Sequence, residues 1–240
     1  MTEPLHIKAR PEDVANRVVV AGDPARVEQL AGYLDKARLI SKKRGFLLYT
    51  GKYEGVPVSV CVHGIGGPSS SIVFEELKML GAKVIVRFGS CGAMVKDLDI
   101  GDYVIPTGAS YTIGGTIWTY APYDCTAAVP DYDVLTQLVK NAAASGLKFR
   151  VGPVVSSDAF YVDAEKFLKT WIPRGMVAVE MECATLFVLG RLRGFKTGAF
   201  LVVSDNVVKA PGVMVGAEEL AKSVERGAKV VFKSIVEVNV

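Results

Sequence analysis

Several apolar runs in this sequence end in residues of the kinds that hold anions, diols and protons. Gly22-Asp23-Pro24-Ala25-Arg26 directly follows the apolar run 17–21. A glycine there lets a backbone N–H approach an oxyanion closely at the start of a helix, and Arg26 stands one helical turn further on. Arg87-Phe88-Gly89-Ser90 ends a second run. Two guanidiniums, a hydroxyl and the amides of a glycine turn are the donors a small tetrahedral anion needs, because arginine offers forked N–H groups to phosphate. Singly, Arg26 also reads as a solvated helix residue and Arg87 as half of a structural ion pair. As a set they point to phosphate.

Glu180-Met181-Glu182 lies between the apolar run 176–179 and a helical pattern over 184–192. Two carboxylates one residue apart share a side of an extended chain. Each can accept two hydrogen bonds, which suits a vicinal diol such as ribose. They suit equally well the first turn of a helix, whose dipole favours acidic residues. Asp205 emerges from the apolar run 199–204. A carboxyl group that loses solvation there has a raised pKa and can donate a proton near neutrality. The other reading of Ser204-Asp205-Asn206 is a cap on the next segment.

Other chemistries fit less well. Gly64-Ile65-Gly66-Gly67-Pro68-Ser69 lacks the last glycine of a dinucleotide fingerprint, and Arg87 stands where an acidic ribose ligand belongs. Gly89-Ser90-Cys91-Gly92 is not a nucleophile elbow, and a chain with two histidines gives a Ser-His triad little support. The four cysteines, Cys61, Cys91, Cys125 and Cys183, show no metal-ligand spacing, so no metal site is expected. The net charge is +3 with basic residues scattered, which argues against a nucleic-acid partner. No apolar run reaches the length of about 18 residues that spans a bilayer. The first residues lack the layout of a secretion signal, so a cytoplasmic location is expected. Two glutamines and four asparagines in the whole chain suit a hot-living source. In such a source cytosolic disulfides occur, and Cys125 is a candidate for one with a symmetry mate.

The elements that must position these groups alternate along the chain. Apolar runs predict strands at 17–21, 46–53, 56–63, 84–88, 103–106, 151–156, 176–179 and 197–204. Helices are expected at 24–34, 69–80, 132–144, 164–170, 184–192 and 217–236, with a glycine-rich turn at 89–93 and a long loop at 107–124. The prediction is a single α/β domain over residues 1–240, a mixed central β-sheet flanked by helices. In such folds ligands bind beyond the carboxyl ends of the strands, where the residues above stand.

In order, Gly22-Asp23-Pro24-Ala25-Arg26, His63-Gly64-Ile65-Gly66, Arg87-Phe88-Gly89-Ser90-Cys91-Gly92-Ala93, Val179-Glu180-Met181-Glu182 and Val203-Ser204-Asp205 form a specific series. Through them the chain resembles the hexameric purine nucleoside phosphorylases and the archaeal 5′-methylthioadenosine phosphorylases, from His6 to the C-terminal helix. The resemblance implies that Gly22, Arg26, Arg87 and Ser90 bind phosphate, with Arg44 lent by a neighbouring subunit. It implies that Glu182 holds the ribose hydroxyls, with Met181 beneath the sugar, Glu180 beside it and the neighbour's copy of His6 at the 5′ end. Phe160 and Val179 would sandwich the base, and Asp205, steadied by Ser204, would face the purine N7 as general acid.

The implied reaction is phosphorolysis of purine nucleosides (methylthioadenosine, adenosine, inosine, guanosine), with phosphate as co-substrate and no other cofactor. The implied assembly is a trimer of dimers. One departure stands out. An arginine that assists the aspartate in bacterial members is missing from 206–220, where Lys209 is the basic residue present. Either Lys209 substitutes for it or Asp205 acts alone. The aliphatic stretch 207–215 would line a 5′-methylthio pocket or form a plain surface loop. A nucleosidase is disfavoured by the arginines, and a uridine phosphorylase by the lack of a Gln/Arg pair in 161–170. A nucleoside-binding protein without turnover is the remaining alternative.

Overall fold

The computed structural model describes residues 4–123 and 126–240. Its strands, in chain order, are β1 (Arg17–Ala21), β2 (Asp35–Ser41), β3 (Leu48–Tyr53), β4 (Val56–Val62), β5 (Val84–Ala93), β6 (Tyr103–Ser110), β7 (Phe149–Ser156), β8 (Ala178–Glu180) and β9 (Lys196–Asn206). The helices are α1 (Pro24–Ala31), α2 (Gly66–Met79), α3 (Gly115–Tyr120), α4 (Tyr132–Ala144), α5 (Ala164–Trp171), α6 (Cys183–Arg193) and α7 (Ala217–Glu237). They form the expected α/β architecture around one mixed sheet, in the order β2-β3-β4-β1-β5-β8-β7-β6-β9. Strand β5 also pairs with β9, so β5, β8, β7, β6 and β9 close into a ring from which β1, β4, β3 and β2 extend.

Both faces of the sheet are covered, which is why its central strands are apolar throughout instead of alternating. On one side Phe74 and Leu77 of α2 pack with Leu186 and Phe187 of α6. On the other, Leu30 of α1, Val134 and Leu138 of α4 and Phe232 of α7 pack together. Local chemistry sets the helix ends. Asp23 caps α1 by accepting from Ala25 N, with Pro24 at the first helical position, and Gly194 in the left-handed region ends α6.

The structure departs from the sequence-based prediction in four places. The stretch 89–93 is not a turn. Strand β5 runs on to Ala93 because β9 pairs with it along its length and β8 pairs with Gly92 and Ala93. Ser90 therefore lies within the same strand as Arg87 rather than beyond its end. Helix α3 and the last part of β6 occupy much of the expected loop 107–124, and α2 begins at Gly66 rather than at 69. Strand β2 was not predicted, since it is an edge strand whose residues are nearly all exposed and carry no apolar alternation.

Among the described residues no helix is long and apolar enough to cross a membrane. Cys61, Cys91 and Cys183 are free, buried thiols. Cys125, the disulfide candidate, lies outside the described residues.

Helix α7 is seated on the sheet through a glycine. A Cβ at position 227 would lie 2.7 Å from Phe88 Cζ and 2.9 Å from Tyr103 Cε1, and both rings are fully buried. Glycine inside a helix is unfavourable, so close packing accounts for its presence. Gly227→Val is expected to lower stability by about 1–3 kcal/mol through overpacking. Urea unfolding checks this as a lower midpoint at unchanged slope.

Candidate active site

Parallel pairing of β1 with β4 and β5, and of β5 with β9, brings the carboxyl ends of β1, β4 and β9 to one edge. Strand β8 runs antiparallel to β5, with Val179 opposite Gly92. The chain leaving β8 therefore travels back along β5, and this carries Glu180 and Glu182 to Arg87. Between β5 and β9 the register slips by one residue, with Cys91 opposite Val203 but Gly92 opposite Asp205. Ser204 is the extra residue. A bulge of this kind re-aims the side chain beside it, here Asp205.

These ends surround a cavity of about 620 Å³. Its walls include Gly22, Arg26, Arg87, Ser90, Phe160, Val179, Glu180, Met181, Glu182, Ser204 and Asp205, which brings together every expected site residue except His6 and Arg44.

The two arginines at its floor differ in their partners. Arg87, fully buried, places Nη2 2.6 Å from Glu182 Oε2 and Nε 3.4 Å from Glu180 Oε2. Burial works against its charge, but Glu182 and Glu180 outweigh this and raise its pKa. Arg26 is only 7% exposed, and its Nη1 has a long hydrogen bond of 3.4 Å to Phe88 O. Among the described residues no carboxylate lies within ion-pair distance of it. Burial, reinforced by repulsion from Arg87, lowers its pKa to about 10. Asp23 offsets this only in part and from beyond ion-pair distance, so the surroundings of this buried cation favour binding an anion.

The two glutamates also differ. Glu182 Oε1 accepts from Gly66 N at 2.7 Å, at the start of α2. Glu180 has a side chain with no exposed surface. Its carboxylate accepts from the hydroxyl of Ser156, from Glu182 N at 2.7 Å, from Cys183 N at 2.8 Å and from Arg87. It ties together β7, the start of α6 and Arg87. Glu180 thus holds these elements together while standing on the wall of the cavity.

Burial raises the pKa of Asp205, opposed by the Ser204 hydroxyl, which lies 2.8 Å from Asp205 Oδ1 and 3.2 Å from Cys91 O. Asp205 also forms an isolated antiparallel bridge with Met214, so the following loop folds back over it. Val207, Met214 and Val215 line the cavity there. Within the aliphatic stretch, then, Val207, Met214 and Val215 form a wall beside Asp205, while residues 209–214 keep exposed surface. Lys209 points elsewhere: its Nζ lies 2.5 Å from Asp99 Oδ1 and 3.1 Å from Leu98 O. It does not take the place of the missing arginine. Phe160, 61% exposed, forms the outer wall with Tyr161 edge-on to it.

Buried guanidiniums stand at one end of this cavity and a desolvated carboxyl at the other, and the sequence around them has known relatives. Residues 16–238 match the family model described as the phosphorylase superfamily. The chain belongs to that superfamily. A guanosine phosphorylase of Halorubrum lacusprofundi is 36% identical to it, over 98% of this chain and 99% of that protein. A uridine phosphorylase of Thermococcus kodakarensis is 35% identical, over 97% of this chain and 85% of that protein. A DeoD-type purine nucleoside phosphorylase of Clostridium novyi is 35% identical, over 85% and 88%.

In this phosphorylase-superfamily chain, His6 and Arg44 stand outside the cavity. His6 Nδ1 is 2.7 Å from Glu76 Oε1, and the same carboxylate accepts from the backbone N–H groups of Leu5, His6 and Ile7. Arg44 is exposed in a tight turn with φ 55°. Lys43 Nζ donates to Leu5 O at 2.7 Å, so the two segments are joined. Sequence reasoning placed His63 in the motif series but gave it no role; the structure shows that it contacts Arg87 from the end of β4. Its place at a strand end beside a glycine-rich run was the available signal.

Glu180→Ala is expected to destabilise the fold by roughly 3–5 kcal/mol, because it strips a buried arginine of a partner and leaves two backbone N–H groups unpaired. Glu180→Gln, which can still accept from some of these donors, is expected to cost less. Thermal or urea unfolding of both variants checks the order.

Proposed function

We propose that this protein is a nucleoside phosphorylase acting on purine nucleosides, releasing the free base and a ribose 1-phosphate. The observation that carries the reading is Arg26, a buried guanidinium without a carboxylate, lying with Arg87 on the wall that also presents Gly22 and Ser90. An inorganic phosphate there completes the charge balance and receives forked hydrogen bonds.

Cleaving an N-glycosidic bond builds positive charge on the ribose and negative charge on the departing base. Phosphate held at the floor attacks C1′, and its charge stabilises the cationic sugar. The C1′–N9 bond breaks as the new C1′–O bond forms, and the electron pair leaves with the purine. Asp205 delivers its proton to N7 of that base, a role suited to a carboxyl whose pKa burial has raised. Glu182, held by Gly66 N and Arg87, accepts from the ribose hydroxyls, with Met181 under the sugar. Val179 and Phe160 flank the base. The reaction so written calls on no metal or organic cofactor.

The base end supports purines over pyrimidines. Beside Asp205 the wall is Val207, Met214 and Val215, and the two arginines that line the cavity stand at its anion end. Recognition of a uracil ring calls for an amide and a guanidinium beside the base, and neither stands there. The class comprises methylthioadenosine, adenosine, inosine and guanosine.

His6 and Arg44, joined on one surface through Lys43, are suited to completing a neighbour's cavity together. This supports a dimer as the smallest working unit, in a trimer of dimers.

A panel of purine nucleosides and uridine, assayed with and without phosphate, tests the reading. Purine release is expected to require phosphate and to yield the sugar phosphate. Equal rates without phosphate would contradict it. Asp205→Asn is expected to lose about 10²–10⁴-fold in turnover, the usual contribution of a general acid, while still binding nucleoside.

A further inference from the structure

We propose that His63 is a positioning residue that holds the Arg87 guanidinium at the anion end of the cavity, and the inference rests on the phosphorylase reading above. His63 follows β4 and has no exposed surface. Its backbone N donates to Ala21 O at 2.9 Å, which joins the ends of β4 and β1. Its ring packs edge-on to Phe74, with centroids 5.6 Å apart. A Cβ at Gly22 would lie 3.5 Å from His63 Cε1, so the imidazole packs against the glycine that opens the anion site.

The ring nitrogen Nε2 lies 3.2 Å from Arg87 Nη1. Arginine stays protonated and has no acceptor, so Arg87 donates and Nε2 must carry the lone pair. The proton of the neutral ring then sits on Nδ1. Burial and the adjacent Arg87 both keep His63 in that neutral form.

Nδ1 has no hydrogen-bond partner among the described residues.

Arg87 explains what the contact achieves. Glu180 and Glu182 draw its guanidinium toward themselves through Nε and Nη2. His63 is its one hydrogen-bond partner on Nη1 among the described residues. Of the five N–H donors of a guanidinium, three are thus directed, and one each on Nη1 and Nη2 remains for an anion. Removing His63 frees the group to turn about its bond to the glutamates, which loosens the hold on phosphate without removing any group from the sugar or base.

The test compares His63→Phe, which removes the acceptor, with His63→Gln, whose amide oxygen can replace it. In H63F the KM for phosphate is expected to rise by about ten- to a hundredfold, the size expected for loss of a hydrogen bond to a charged group. The KM for nucleoside is expected to stay within about twofold of wild type, and H63Q to recover most of the phosphate KM. A phosphate KM unchanged in H63F, or a rise in both KM values together, overturns the positioning role.

Nitrogen-15 NMR of the wild-type histidines gives a reading that does not depend on the variants folding. His63 is expected as the neutral Nδ1–H tautomer, and an Nε2–H tautomer overturns the proposal. Nucleoside cleavage by the wild type without phosphate would instead overturn the phosphorylase reading, so the two failures are distinct.

Discussion

Arg26 and Arg87 bring two positive charges into the interior of one cavity, close enough for each to weigh on the other. Burying guanidiniums is unfavourable unless charge and hydrogen bonds are returned to them. For Arg87 the return is internal, from Glu182 and Glu180. For Arg26 it is weaker: a long bond to the Phe88 carbonyl, the face of the Phe88 ring and the charge of Asp23 beyond ion-pair distance. This asymmetry governs the site. A pair fully neutralised by carboxylates would have no use for an anion, and a pair with no carboxylates at all would burden the fold.

The fold maintains that imbalance through β5. Three strands pair with it, which keeps 89–93 extended despite its glycines. Small residues are required there. A Cβ on Gly89 would overlap the Arg87 guanidinium, and one on Gly92 would lie 3.0 Å from Asp205 Oδ2. The antiparallel turn-back of β8 supplies Glu180 and Glu182, and the slip at Ser204 re-aims Asp205. The paired arginines and the half-buried carboxyl are therefore set by one strand and its neighbours. Anything that shifts β5 moves both.

Much of this was legible in the sequence because the residues gather at strand ends, where α/β folds place their ligands. Gly22, Arg26, Glu182 and Asp205 could be located by that rule alone. The misreadings share a physical cause. The run 89–93 has the composition of a turn, and only long-range pairing with β9 and β8 makes it a strand. Strand β2 is exposed along nearly its whole length, so no apolar periodicity marked it. Spacing put Glu180 and Glu182 on one side correctly, since both reach Arg87, yet it could not reveal that Ser156 and two backbone N–H groups occupy Glu180. His63 stood in the motif series without a role because a lone histidine after a strand is informative only once its neighbour is known to be Arg87.

On the proposed reading Arg26 is a buried cation that takes an inorganic anion as its counter-charge. Calorimetric titration of phosphate into the ligand-free protein decides the matter, with Arg26→Met as the comparison. Saturable binding at one site per chain is expected in the wild type, with its loss in the variant, which should be no less stable than the wild type in phosphate-free buffer. Phosphate binding of equal strength in both proteins would contradict it.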